Sequence, residues 1–328
     1  MGNVIEFRTR RASLWNDETM AKLRSGHLRE SPRLTRAFQG IGDNTAKTYR
    51  WALRGFDKWA HGLPVTDEVL ANFLTHLQEK DRTHGYLRVC RAAVRFREHA
   101  LDRPDPSGSE TRLAMGISRR RRRKTKQARH LTLAEIQGIV KTAADTGSLW
   151  GVRDAALISI MFACGLRAGE AANMEVRDLE VLEDGGGLLT IQYSKTDQEG
   201  KGAVVGLPPG PVRHLQEWIK MAKLNQGDPL FTPIKGCGPG FSLPVIVRRK
   251  MLTQYVAKIV QKRAAAAGHE GISSHSLRRS FALHLSLQGK RTHEIQEAGR
   301  WVSPAMVLTY TRGSRAVRSK IAQAIGWE

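Results

Sequence analysis

The sequence has little cysteine, few acidic residues and no long apolar run. Its three cysteines, Cys90, Cys164 and Cys237, are odd in number and widely spaced. That excludes a disulfide framework and a zinc site of paired C-x-x-C type, and it fits a reducing interior. No segment reaches the roughly 18 apolar residues that a membrane-spanning helix requires. The opening stretch MGNVIEFRTRRASLWNDE lacks the apolar core of a secretory signal, so a cytoplasmic protein is expected. No phosphate-binding G-x-x-x-x-G-K-[ST] loop occurs, and no Asp/Glu cluster has the arrangement that holds two metal ions. Whatever chemistry this chain performs is expected to run without ATP, metal or another cofactor.

The shortage of acids is the first positive clue. Against 53 Lys and Arg stand 31 Asp and Glu, a formal net charge of +22 at pH 7. A solubilising surface could account for some of this, but a polyanionic partner accounts for it better, because each neutralised phosphate releases counterions. Residues 1–129 hold 28 Lys and Arg and 14 Asp and Glu, a net of +14, so the front of the chain carries most of the excess. With 41% hydrophobic and 26% charged residues in a chain of 328, a sizeable core and two domains are expected.

Residues 1–40 are basic and aperiodic and read as a flexible arm. A helical domain is expected over 41–117. Tyr49, Leu53, Phe56 and Ala60 share one helical face, Thr66 is placed to cap a second helix carrying Val69, Leu70, Phe73, Leu74 and Leu77, and a third covers His84 to Leu101. That third helix presents Arg88, Arg91 and Arg95 on one side, which suits either a DNA backbone and groove or plain solvation. After the turn-forming DRPDPSGS and a short amphipathic ETRLAMGI comes a run of like charge, Arg119, Arg120, Arg121, Arg122, Arg123 and Lys124. Mutual repulsion argues against a packed element there, so 118–130 reads as a basic linker lying along phosphates, with nuclear targeting as another use of such a run.

From 131 to 328 the pattern is that of a second, mainly helical domain. RDAALISIMFACG is apolar enough to be its central helix, and RAGEAANMEV follows as a short one. LLTIQY and AVVGLP, flanking SKTDQEGKG, form a small antiparallel hairpin. Helices are expected at about 211–223, 252–267, 276–288, 292–298, 304–312 and 314–325.

Individually, the chemistry-bearing residues here are weak signals. Arg167 and Glu170 sit one turn apart at a helix start, where such pairs are usually surface or capping pairs. Lys195 lies in the hairpin turn, a common place for a solvated lysine. His275 and Arg278 lie one turn apart at another helix start, near the positive end of its dipole, a sound place to grip phosphate, yet H-x-x-R is frequent by chance. Trp301 in Gly299-Arg300-Trp301 precedes Tyr310 by nine residues.

Taken in order, Arg167 with Glu170, Lys195, the H-x-L-R of His275 to Arg278, Gly299-Arg300-Trp301 and Tyr310 resemble the tyrosine recombinase, or phage integrase, family. The resemblance covers essentially the whole chain, and tryptophan at 301 makes it most similar to Cre-like members. Arg300 stands where the family usually has a small residue, so either Arg300 or Trp301 could face the phosphate. The resemblance implies a mainly α fold with a small antiparallel sheet, a two-domain C-shaped DNA clamp with a SAM-like helical core-binding domain, and a nucleoid-associated enzyme. Its partner would be double-stranded DNA carrying a specific site, bound as a homotetramer.

In such an enzyme Tyr310 attacks a phosphodiester, leaving a 3′-phosphotyrosyl link and a free 5′ hydroxyl, and rejoining passes through a Holliday junction without a nucleotide cofactor. Arg167 and Arg278 would bind the phosphoryl oxygens bidentately. Lys195 would protonate the 5′ oxygen, His275 accept the Tyr310 proton or touch the phosphate, Trp301 donate its indole N–H, and Glu170 orient its neighbours. Val317, Ile321 and Ile325 form an apolar stripe on a terminal helix that docks in trans on a neighbouring protomer or in cis on its own domain. Two other readings share much of this pattern: a type IB topoisomerase, and a sequence-specific DNA-binding protein without catalysis.

Overall fold

A computed structural model of the chain describes residues 31–120, 129–192, 202–236 and 243–317, with side chains as far as 311. The chain divides into two units, 1–125 and 126–328.

Among the described residues the first unit holds five helices, α1 (Pro32–Gln39), α2 (Asp43–Ala60), α3 (Asp67–Glu79), α4 (His84–Ala100) and α5 (Ser109–Arg120). Their apolar faces meet in one core that includes Leu53, Phe56, Leu70, Phe73, Leu74, Leu87 and Val94, with Phe56 and Phe73 edge to face at 5.2 Å. Thr66 caps α3 through its hydroxyl as expected. Two expectations are corrected. The flexible arm does not extend to residue 40: Ser31 caps α1 with Pro32 in its first turn, and Leu34 and Phe38 are buried in the core. Nor does the basic linker begin at 118, because Arg119 and Arg120 form the last turn of α5, where cations suit the helix C-terminus. Arg121, Arg122, Arg123 and Lys124 lie outside the described residues.

The turn before α5 is held from two sides. The Asp67 carboxylate accepts the backbone N–H groups of Gly108, Glu110 and Thr111, capping α5 from another helix. From α4, Arg95 forks onto Asp105 at 2.5 to 3.0 Å and Arg91 donates to the Ser107 hydroxyl at 2.6 Å.

In the second unit, α7 (Leu149–Ala163) is the central helix, packed against α6 (Leu133–Ala144) and α9 (Pro209–Ala222). Val152, Ala155, Ala156, Leu157, Ile158, Ile160 and Met161 are buried around its whole circumference, as its unbroken apolar run predicts. The short α8 (Ala168–Asn173) follows. Strands β1 (Leu179–Val181), β2 (Gly187–Ile191) and β3 (Ala203–Leu207) form an antiparallel meander in which Leu189 pairs with Leu179 on one side and Val205 on the other. The expected hairpin is thus two strands of a three-stranded sheet. A second small ladder, β4 (Ile234–Lys235) with β5 (Val245–Ile246), has no counterpart in the sequence reading. The described residues end in α10 (Thr253–Ala266), α11 (Ser274–Leu287), α12 (Thr292–Ala298) and α13 (Pro304–Val317). A break between 312 and 314 is expected from the sequence; instead α13 runs through Gly313 without interruption. Ile321 and Ile325, and the side chain of Val317, lie outside the described residues.

Candidate active site

Two helix C-termini meet at the site, and both end in the same kind of turn. At the end of α7, Gly165 adopts φ +55°, its N–H bonding to the Phe162 carbonyl and that of Leu166 to Met161. This is a Schellman turn, whose left-handed position favours glycine. Glycine is required twice over, since a Cβ on Gly165 would stand 2.5 Å from the Phe281 ring. The turn delivers Arg167 to the N-cap of α8, where the Glu170 carboxylate accepts the Arg167 backbone N–H at 2.9 Å and its Nη1 at 2.6 Å. The pair does cap a helix, and it also fixes the direction of the Arg167 guanidinium.

At the end of α12 the bonds repeat: Arg300 N–H to Glu297 and Trp301 N–H to Gln296. Here the left-handed residue is Arg300, at φ +54°, a conformation costing a non-glycine residue roughly 1–2 kcal/mol. The glycine is spent one position earlier: a Cβ on Gly299 would stand 1.7 Å from the Trp301 ring. Trp301 is buried at 3% exposure, beside Phe281 and 5.7 Å from the Tyr310 ring.

From the second turn of α11, Arg278 ties the two ends together. Its Nη1 donates to the Gly165 carbonyl and its Nη2 to that of Gly299, while its guanidinium lies 4.4 Å over the Trp301 ring. One turn earlier on the same helix stands His275, and its Nε2 lies 3.0 Å from the Tyr310 hydroxyl, which α13 brings in. Arg167, Glu170, His275, Arg278, Trp301 and Tyr310, scattered over more than 140 positions of sequence, thus converge. Lys195 lies outside the described residues.

The field at this point is strongly positive. Burial and the charges of Arg278, Arg279 and Arg167 hold the His275 imidazole below its usual pKa even though the residue is partly open to solvent, so it is neutral at pH 7. Burial raises the Tyr310 phenol, against the pull of Arg278, Arg167 and Arg279 toward phenolate. The Trp301 indole N–H pulls the same way without reaching hydrogen-bond geometry, and it has no acceptor among the described residues. Burial, followed by the nearby Arg167, pushes Arg278 down to about 9, leaving it protonated at neutral pH. Burial also works against charge on Glu170, yet the Arg167 N–H and the Arg300 and Arg167 guanidinium groups hold its carboxyl below the usual range. Arg279 is a site member that the sequence reading passed over, and Arg300, weighed there only as a possible phosphate contact, is one through its bond to Glu170. No group of three His, Cys, Asp or Glu side chains able to hold a metal ion occurs among the described residues.

Comparison with known proteins gives this arrangement its family. The phage integrase family model matches residues 129–316, more than half of the chain. The chain belongs to the phage integrase family. An integrase/recombinase XerD homolog from Selenomonas ruminantium is 28% identical over 287 residues, spanning 82% of this chain and 81% of the relative. The tyrosine recombinase XerD of Xanthomonas axonopodis pv. citri is 27% identical over 274 residues, 79% and 84% of the two chains. Among solved structures, the XerH site-specific recombinase bound to palindromic difH substrate aligns over 94% of each chain with a TM-score of 0.64 at 18% identity. A lambda integrase dimer bound to a COC′ core site aligns over 94% of this chain and 85% of its own, with a TM-score of 0.57 at 16% identity. The enzyme is a tyrosine site-specific recombinase, a reading these comparisons favour over a type IB topoisomerase or a non-catalytic DNA binder. The expected likeness to Cre-like members rests on Trp301 alone, and the relatives compared above are Xer recombinases and lambda integrase. No helix among the described residues is long and apolar enough to cross a membrane.

Proposed function

We propose that Tyr310 is the nucleophile that opens a DNA strand, with His275 as the base that receives its proton. The observation carrying this reading is the 3.0 Å contact between the Tyr310 hydroxyl and a neutral His275 Nε2, set among arginines. As the phenolic oxygen bonds to phosphorus, its proton passes to Nε2 and the bond to the 5′ oxygen breaks. The product is a 3′-phosphotyrosyl link and a 5′ hydroxyl, and reversal of the same step on a different 5′ hydroxyl joins a new strand. Arg167 and Arg278 neutralise the charge that grows on the non-bridging oxygens, a role lysine fills less well because it lacks the planar fork. Trp301, whose N–H is uncommitted, is the better candidate of the pair 300/301 to face the phosphate, since the Arg300 side chain is engaged elsewhere. By family resemblance Lys195 supplies the proton to the 5′ oxygen.

The partner in this reading is double-stranded DNA with a defined target site, held by a tetramer that passes through a Holliday junction, with the chain beyond α13 docking on a neighbouring protomer. The net charge of +22 and the DNA-bound structural relatives support the DNA partner. The basic run from Arg119 to Lys124 would lie along phosphates. Incubation with a nicked suicide duplex, selected by sequencing DNA captured by Tyr310→Phe, tests the reading. The intact enzyme should form an adduct that survives denaturation, and Y310F should bind the duplex but form none. An adduct from Y310F would remove Tyr310 from its role.

A further inference from the structure

Arg300 is the one residue of the two helix-end turns that breaks the glycine preference of its position, and its side chain shows what it does there. The guanidinium folds back under the site with 10% of the side chain exposed. Nη1 donates to the carbonyls of Cys164 and Ala298 at 3.2 and 3.1 Å, and Nη2 to Cys164 again at 3.2 Å and to Glu170 Oε2 at 3.1 Å. The Arg300 backbone carbonyl in turn accepts from Arg167 Nη2 at 3.4 Å. One residue therefore closes a ring: it joins the last carbonyls of α7 and α12, the negative ends of both helix dipoles, it holds the carboxylate that orients Arg167, and it contacts the Arg167 guanidinium itself.

We propose that Arg300 is a positioning residue for strand cleavage, fixing Arg167 through Glu170 and so setting the pocket that receives the phosphoryl oxygens. The idea rests on the proposed role of Arg167 and goes beyond it by assigning a task to a side chain whose hydrogen bonds are made within the protein. A purely structural staple would also join α7 to α12, but it would have no reason to meet Glu170 at the oxygen that accepts the Arg167 backbone N–H.

The test is a cycle of single-turnover cleavage on the nicked duplex at saturating DNA, comparing intact enzyme, Arg300→Gly, Arg167→Ala and the double variant. Glycine suits φ +54°, so R300G removes the guanidinium without straining the turn. R300G should slow adduct formation by about ten- to a hundred-fold, the usual effect of losing an orienting partner, with DNA affinity unchanged. In the R167A background the same change should cost little, because the residue it orients is gone. Arg300→Lys, which keeps the charge and can reach Glu170, should recover part of the rate, and it carries the test if R300G is too unstable to assay. Wild-type cleavage by R300G, or equal losses with and without Arg167, would overturn the proposal. Absence of any adduct from the intact enzyme would instead overturn the nucleophile assignment.

Discussion

The Tyr310 hydroxyl and His275 Nε2 are 3.0 Å apart, and the two groups are displaced from ordinary acidity in ways that suit a proton transfer. Burial raises the phenol above 10, so it is protonated at neutral pH and needs a base; burial and three arginines lower the imidazole below 6.5, so it is free to act as one. Acid converts His275 to its cation and removes the base. The cleavage rate should therefore be level from about pH 6.5 into the neutral range and fall tenfold per unit once pH drops below the depressed His275 pKa. His275→Ala should cleave about 10²–10⁴-fold more slowly and lose that acid limb. Single-turnover rates across pH check both, and an acid limb that persists in H275A would assign the titration to another group.

Much of this site can be read in the sequence, because its spacing reports local geometry. G-L-R after an apolar helix announces a turn that stops α7 and launches α8, and H-x-x-R at a helix start puts His275 and Arg278 on one side. The task of Arg300 is illegible for a physical reason: a helix-ending turn leads one to expect glycine at the left-handed position, and Gly299, one residue early, is there for the Trp301 ring instead. The short helix α1 is hidden by the arginine-rich composition around it, although Ser31-Pro32 is a good helix start. An expected helix break at Gly313 fails because one glycine costs a helix only about 1 kcal/mol, too little to end α13. The partners of Arg91 and Arg95 lie beyond the end of their helix, where periodicity says nothing.

Arg278 reads as a phosphate ligand in the sequence, yet two of its donors are committed to backbone carbonyls of Gly165 and Gly299. Its removal should therefore damage folding as well as chemistry. Lysine cannot span both carbonyls, and leaving one buried acceptor unpaired costs about 1–3 kcal/mol. Arg278→Lys should lose about that much stability in urea unfolding and, at saturating DNA, cleave more than about 10²-fold more slowly. Gly165→Ala separates the two effects. It meets the Phe281 ring and an unfavourable φ, so it should lose a similar stability, about 1–3 kcal/mol, by overpacking, while keeping the guanidinium. If G165A cleaves as poorly as R278K, the arginine's effect is conformational and its place on the phosphate is lost.

The arginine face of α4 divides in the structure, and the division predicts unequal roles in DNA binding. Arg88 is exposed, whereas Arg95 is forked onto Asp105 and Arg91 holds Ser107, which stabilises the turn leading into α5. A free cation that neutralises a phosphate contributes about one unit to the salt dependence of binding, and its loss weakens binding to every sequence alike. Arg88→Ala should therefore lower affinity for any duplex and reduce the slope of log affinity against log salt by about one. Arg95→Ala frees Asp105 and should act chiefly on the first unit's stability, by no more than about 1 kcal/mol for an exposed pair, with the salt slope nearly unchanged. Titrations of labelled DNA at several salt concentrations, beside thermal melts, distinguish the two. A full unit of slope lost in R95A would show that the Asp105 pair opens on DNA, and would put the whole face back at the phosphate backbone.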